Sequence, residues 1–181
     1  MAAARVPNPS CIVEKGSNLT RPELGHIICG PFTTAASCLS GGLVSLASTG
    51  VVTPCASTTK PAGFIVHKQE YNWGTTTPAL GATLPTGIDV YICVYGCGIV
   101  PLDHDHTANS AILGSHVFPS HDVAGLASGS PALVAGAGNH FNCGIVMDLL
   151  AGNTGTGTGG ADGDPMEIFF GMGELDLLST S

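Results

Sequence analysis

The residues best suited to chemistry are the consecutive quartet Asp103-His104-Asp105-His106. On a strand, His104 and His106 would project from the same face, which is a spacing that metal sites use. Further ligands would have to come from His116, His121 or Asp122. No spacing fixes any of these as a third ligand. The quartet is better explained as a polar loop after a strand, so we predict no metal site. In the alternative, less favoured interpretation, His104 and His106 are the candidate metal ligands.

A second motif, Gly155-Thr156-Gly157-Thr158-Gly159-Gly160, has the GxGxxG spacing of dinucleotide-binding loops. That fingerprint requires a following helix within a βαβ unit, whereas a second Gly- and Asp-rich stretch follows here. No GxSxG nucleophile elbow occurs in the sequence. Cys93 and Cys97 lie in an apolar strand and turn, where a thiol usually fills the core. We therefore predict no catalytic residue, no cofactor and no enzymatic activity.

Charge is scarce and unevenly distributed. Charged residues make up 10% of the 181 residues, against about 25% in typical soluble domains. All five basic residues lie in the first 68 positions, which carry a net charge of +3, and the rest carries −11. The larger part therefore has nothing to replace the counterions of a nucleic acid, and no nucleic-acid partner is expected. The low overall charge is typical of a surface that is largely covered by neighbouring molecules.

The cysteines and apolar runs bear on the compartment. Seven cysteines without a CxxC pair favour buried thiols made in a reducing cytoplasm over a disulfide framework. The sequence has no apolar run of about 18 residues and no signal-peptide core, so neither a membrane span nor secretion is predicted.

The elements that must position these residues are short strands, of which Gly87–Leu102 is the strongest. Its two faces consist of Val90, Ile92 and Val94, and of Tyr91, Cys93 and Tyr95. Neither face is polar, so we expect one to fill a barrel and the other to lie under long loops or against a neighbour. The strand is expected to close on Gly96 and Gly98.

Other apolar runs bounded by Gly and Pro predict further strands along the chain. Two glycine pairs, Gly63/Gly144 and Gly87/Gly163, begin similar runs at offsets of 81 and 76 residues. An internal duplication of about 25–102 and 107–176 is one interpretation, and a single barrel with repeated turns is the other. We predict a mainly β body at 25–181, with long loops, after an extended N-terminal arm at 1–24.

Partner contacts are expected in the arm and in the polar, aromatic loop that follows residue 68. The candidate partner-binding residues are Val6, Pro7, Cys11, Ile12 and Val13 of the arm, and Tyr71 and Trp73 of the loop.

Three pieces of the chain follow a known order: a glycine-led hairpin, a Gly-Ile-like strand and a Gly-x-x-Val-x-Val…Gly strand. They are Gly42-Leu43-Val44…Gly50-Val51-Val52, Pro61-Ala62-Gly63-Phe64-Ile65, and Gly87 to Gly96. This order resembles that of tailed-phage capsid decoration proteins, also called cement or head-stabilisation proteins. The resemblance covers about residues 25–175, with 68–86 and 103–125 as long insertions.

The resemblance implies a small β-barrel or β-tulip-like protein on the outer capsid surface of a virion, synthesised in the host cytoplasm. It would stabilise the assembled capsid by cross-linking neighbouring capsomers. The implied partners are the major capsid protein and, on the lattice, copies of the chain itself as a dimer or trimer. The arm with Ile12-Val13 is suited to adding a strand to a capsid-protein sheet.

Two other classes remain open. One is a metal-dependent small β-barrel enzyme built on the Asp103–His106 quartet. The other is a different viral or surface β-protein, such as a tail, spike or adhesin component.

Overall fold

The computed structural model describes residues 18–66, 78–103, 113–120, 122–129, 141–149 and 163–171. Within these ranges the fold is mainly β, with a closed five-stranded barrel and additional strands, so the predicted fold class is confirmed. The strands are β1 Leu19–Thr20, β2 Ile27–Thr34, β3 Leu43–Leu46, β4 Val51–Pro54, β5 Gly63–Ile65, β6 Asp89–Leu102, β7 His116–Pro119, β8 Ala127–Ser128, β9 Gly144–Leu149 and β10 Asp164–Phe170. A short 3₁₀ helix spans Pro22–Leu24.

The central strand β6 does not close on Gly96 and Gly98 as the sequence predicts, but continues through both glycines for a total of 14 residues. Its first half pairs with β2 and β5, and its second half pairs with β10, β1 and β8. The two glycines permit close packing where the strand passes from one set of partners to the other. A Cβ on Gly96 would collide with the His26 ring, and one on Gly98 would collide with the Phe64 ring.

The first half of β6 closes the barrel, which we call the first ring, with β2, β4, β3 and β5. The β2–β4 pair is parallel, and the other four pairs around the ring are antiparallel. The predicted hairpin between β3 and β4 turns at Gly50, which adopts a positive φ of 79°. Pro54 is the last residue of β4.

The second half of β6 belongs to another circuit of pairings, the second ring, with β10, β9, β7 and β8. Its pairing order matches that of the first ring when β6 to β10 are aligned with β2 to β6. In both rings the first strand pairs parallel with the third, and the remaining four pairs are antiparallel. Thus β6 is the last strand of one ring and the first strand of the other.

Two pairs of residues occupy corresponding positions in the first and second rings. Gly63 opens β5 and Gly144 opens β9. A Cβ on Gly63 would collide with the Cys93 carbonyl of β6, and one on Gly144 would collide with the Phe169 carbonyl of β10. Cys93 and Phe169 are 76 residues apart, like Gly87 and Gly163. The predicted domain division stays a prediction, but the repeated order of pairings is a property of the fold.

The hydrophobic core has two parts. One fills the first ring and consists of Phe32, Cys38, Val44, Val52, Ile65, Leu84, Val90 and Ile92. The other fills the second ring with β6, β9 and β10 side chains, and it also takes in Leu43, Phe64 and Cys93 from the outside of the first ring. The outer face of the first ring therefore forms part of the core of the second ring.

This arrangement explains the doubly apolar pattern of β6. Val90 and Ile92 lie inside the first ring, as expected. On the other face, Cys93 is buried in the second core and Tyr91 packs against it, whereas Tyr95 is 38% exposed. The covering of the second face thus comes mainly from the chain's own second ring.

No helix in the described ranges combines the length and the apolar character needed to cross a membrane.

Candidate functional site

The residues chosen from the sequence as partner contacts lie outside the described residues. This applies to Val6, Pro7, Cys11, Ile12 and Val13 of the arm, and to Tyr71 and Trp73 of the loop. It also applies to the metal candidates His104 and His106, to His121, and to the glycine-rich stretch at 155–160. The structure does describe the positions from which several of these segments leave the body.

Asp103, the first residue of the predicted metal quartet, is buried at the end of β6. The Ser120 hydroxyl donates a hydrogen bond to its carboxylate, while the Asp103 amide donates to the Ala127 carbonyl (2.9 Å). The Ser120 oxygen also accepts hydrogen bonds from the amides of Asp122 and Val123, both at 3.1 Å. The Ser120 oxygen is therefore saturated, and its role is to hold the turn after β7 against the end of β6 rather than to act as a nucleophile.

His116 is another residue that the metal hypothesis considered. Its Nδ1 lies 2.7 Å from the Asn142 amide nitrogen, and Asn142 Oδ1 accepts a hydrogen bond from the Gly144 amide (3.0 Å). The second contact sets the amide orientation, so Nδ2 donates to His116 and occupies the Nδ1 lone pair. Across the described part of the chain, no group of three His, Cys, Asp or Glu side chains is placed to hold a metal ion.

The most elaborate polar arrangement lies where residues 18–26 cross β6, a segment that we call the N-terminal strap. It begins at Asn18, which is 3% exposed and pairs tightly with the body. The Asn18 side-chain amide donates to the carbonyls of Ile65 (3.0 Å) and Ile99 (3.3 Å), and the Ile99 amide donates to the Asn18 carbonyl (2.7 Å). One asparagine therefore bonds to both β5 and β6. The strap includes positions 18–24 of the predicted arm.

An ion pair between Arg21 and Glu167 fastens the middle of the strap to β10. Arg21 Nε donates to Glu167 Oε1 at 2.9 Å and Nη2 donates to Oε2 at 3.0 Å, which is a bidentate arrangement. The Thr20 hydroxyl adds a third hydrogen bond to Oε1 at 2.5 Å. Burial raises the pKa of Glu167, but the bonds from Arg21 and Thr20 outweigh it and hold that pKa below its ordinary value.

Arg21 itself adopts a left-handed backbone conformation, with φ 50° and ψ 58°. A residue with a Cβ reaches this region at a cost of roughly 1–3 kcal/mol, so the surrounding contacts must hold it there. The bidentate contact with Glu167 supplies such a restraint. The 3₁₀ turn adds hydrogen bonds from Leu24 N to the Arg21 carbonyl and from Gly25 N to the Pro22 carbonyl.

The strap ends at His26, which is 8% exposed and lies directly over β6. His26 Nε2 is 2.8 Å from the Thr20 carbonyl and 2.9 Å from the Cys97 carbonyl. Both neighbours are acceptors, so Nε2 carries a proton and donates to them. Beneath the strap, Cys97 is fully buried, and burial followed by the nearby Glu167 charge raises the pKa of its thiol. A protonated thiol in this position fills space in the protein interior, in agreement with the interpretation of Cys97 from the sequence as a core residue.

Beside the strap lies an apolar row on β2, β6 and β10, formed by the exposed Ile27 and Tyr95 and by the half-buried Phe169. Ile27 and Tyr95 are paired across β2 and β6, and the Tyr95 and Phe169 rings meet edge to face at 5.1 Å. Ile27 is 41% exposed, and Leu24 on the 3₁₀ turn is 46% exposed. Exposed apolar side chains grouped in this way are typical of contact surfaces.

Sequence reasoning missed the strap anchors. Asn18 lies in the predicted extended arm, and no local pattern there indicates its packing role. The available signal was Glu167, a lone acid inside the apolar run Met166–Phe170. A buried acid requires a cationic partner, and Arg21 is one of only five basic residues in the sequence.

Comparison with solved structures shows a related fold. A chain from a structure described as "The capsid of Myoviridae Phage XM1" aligns with a TM-score of 0.50 and 13% sequence identity, over 90% of this chain and 95% of that chain. No protein-family model and no curated protein sequence matches the chain. At this identity the likeness concerns the fold, and it extends over both rings because it covers most of each chain.

Proposed function

We propose that the protein is a structural component of a tailed-phage virion that binds the outer surface of the assembled capsid and cross-links neighbouring capsomers. The observation that carries the proposal is the fold shared, over nearly the whole length of both chains, with a chain from a phage capsid structure. The order of glycine-led strands in the sequence resembles that of capsid decoration proteins, which points in the same direction.

The surface of the body is consistent with a binding role. The apolar row and Leu24 expose side chains that gain from being covered, and few charged groups compete with such contacts. The polar clusters at Ser120 and at the strap consist of hydrogen bonds that hold elements together. We therefore propose a protein that works by contact and without catalysis.

We also propose that the residues before Asn18 are the main attachment to the major capsid protein. The strap fastens the start of the body to both rings, so a pull on the preceding residues would be carried into β5, β6 and β10. An individual contact of this kind can be weak, because many copies on one lattice act together.

Co-sedimentation with capsids tests the central claim. Purified protein is mixed with DNA-free capsids that lack it, and the particles are pelleted through a sucrose cushion. We expect saturable binding and a higher temperature of capsid disruption in the bound particles. Protein that stays in the supernatant at all concentrations would contradict the proposal.

The arm is tested separately by removing residues 1–17, which leaves the strap intact. The truncated protein should fold but lose at least tenfold in capsid affinity, a loss of about 1.4 kcal/mol. The point variants Ile12→Asp and Val13→Asp should have the same effect, and Trp73→Ala tests the loop contact independently. Undiminished binding by the truncated protein would place the attachment on the body, with Tyr95→Ser as the next variant to measure.

A further inference from the structure

The N-terminal strap contacts strands from both rings at once. Asn18 bonds to the Ile65 carbonyl of β5, which belongs to the first ring, and to Ile99 of β6. Thr20 and Arg21 bond to Glu167 of β10, which belongs to the second ring. The strap is therefore placed to tie the two rings together at the strand they share.

We propose that the strap is a clasp with Glu167 as its acid-sensitive catch, so that protonation of this one carboxylate releases residues 18–26 from the body. The three side-chain bonds to Glu167 all come from the strap, and all of them end on its two carboxylate oxygens. The clasp is a property of the isolated protein and goes beyond the proposed capsid role, on which it does not depend.

Glu167 is distinguished from the other charged groups around it by its position. On β9, Asp148 lies opposite Glu167 in the strand pairing but is exposed to solvent. On β6, the Cys97 thiol is buried and protonated. On the strap, Glu23 is exposed and acts on Arg21. Glu167 is the acid in this group that is buried and directly bonded to the strap.

His26 also lies on the strap, and its chemistry differs from that of Glu167. Its Nε2 proton is donated to the carbonyls of Thr20 and Cys97. An imidazolium still has that proton, so these two bonds survive when the ring gains a charge. Glu167 instead loses its charge when it is protonated, and with it the ionic part of its contact with Arg21.

The direction of the acid effect follows from the environment of the carboxylate. The bonds from Arg21 and Thr20 hold the pKa of Glu167 below its ordinary value even though burial acts in the opposite direction. A group with a lowered folded-state pKa stabilises the folded contact above its unfolded-state pKa. That contribution disappears as the pH falls through the folded-state value. The clasp is closed at neutral pH and opens in acid.

Hydrogen exchange of the Ile99 amide reports on the clasp directly, because this amide donates to the Asn18 carbonyl. The matched variants are Glu167→Gln, which removes the charge while keeping the shape, and Asp148→Asn, which removes an exposed charge from the opposite strand position. At about pH 7 we expect Ile99 to exchange at least tenfold faster in Glu167→Gln and at the wild-type rate in Asp148→Asn. The Cys143 amide, bonded to the Val117 carbonyl (2.8 Å), serves as an internal control that should not change.

The pH profile distinguishes the effect of Glu167 from the effects of the other titratable groups. Corrected for intrinsic exchange, Ile99 protection in the wild type should stay high down to the ordinary glutamate pKa of 4.5 and fall as the pH drops further, whereas in Glu167→Gln it should be low and flat. Thr20→Val, which removes one of the three bonds, should give an intermediate loss and remains informative if Glu167→Gln folds poorly. Wild-type protection in both Glu167→Gln and Thr20→Val, or an unchanged acid response in Glu167→Gln, would overturn the proposal. Failure of the capsid-binding experiment would leave these outcomes unaffected.

Discussion

At the scale of single residues, the structure buries several polar groups and thiols. Asn18, Asp103 and Glu167 are each nearly inaccessible, and each has hydrogen-bond partners that join different strands. Among the described cysteines, Cys38, Cys55, Cys93, Cys97 and Cys143 are buried free thiols, and Cys29 is half-buried. These thiols act as small apolar side chains, so their ionisation opposes folding.

The thiol of Cys93 gives a prediction for alkaline solution. Burial raises its pKa to about 12, so between the ordinary value and about 12 the folded protein binds more protons than the unfolded chain. Stability is therefore complete below the unfolded-state pKa and declines as the pH rises through this window. We expect Cys93→Ala to show a shallower loss of unfolding free energy above about pH 9, by up to about 1.4 kcal/mol per pH unit.

Denaturant unfolding at several alkaline pH values measures this slope. Val44→Ala is the control, because it also deletes buried atoms but removes no ionisable group. It should lower stability by a similar amount at every pH. Parallel pH curves for the wild type and Cys93→Ala would show that ionisation of Cys93 does not contribute.

At the scale of elements, the strap and β6 depend on each other. β6 has strands along both edges, and β1 fills the interval between β5 and β8 on one of them. The rest of the strap then crosses the face of β6 and covers Cys97. Without the strap, the Glu167 carboxylate would lose its cationic partner Arg21.

Two truncations test the contribution of the strap to stability. Removal of residues 1–24 deletes Asn18, Thr20 and Arg21, whereas removal of residues 1–17 retains them. We expect the longer truncation to be less stable than the shorter one by on the order of 2 kcal/mol, a value kept low because Arg21 is partly exposed. Denaturant midpoints of the two proteins give the comparison. Equal midpoints would mean that the strap is not needed for the stability of the body.

At the scale of the whole molecule, two rings with the same pairing order share one strand and part of one core. Phe64 belongs to β5 of the first ring, yet its ring meets Phe170 of β10 at 6.1 Å and lies in the core of the second ring. The rings are therefore coupled through packing as well as through the β6 backbone. Such coupling favours a single cooperative unfolding transition.

Phe64→Ala provides the test of this coupling. The side chain is fully buried, so the substitution should cost about 3–5 kcal/mol. Exchange protection of β3–β4 and of β9–β10 should fall together, because both rings lose packing. As a control, Leu46→Ala changes an exposed side chain of β3 and should have little effect on either ring. Loss of protection in one ring alone would show that the rings unfold independently.

The sequence by itself determined the β class and the glycine-led hairpin from Gly42 to Val52, because these depend on local alternation and on a turn glycine, Gly50, whose conformation is set nearby. It also identified β6 as the central strand and Gly63/Gly144 as corresponding positions. Only the tertiary structure decided that β6 continues through Gly96 and Gly98, since their small size is explained by His26 and Phe64 from other strands. The partnership of Arg21 with Glu167 was likewise invisible in the sequence. The two residues are 146 positions apart, and neither local periodicity nor composition specifies which distant groups meet.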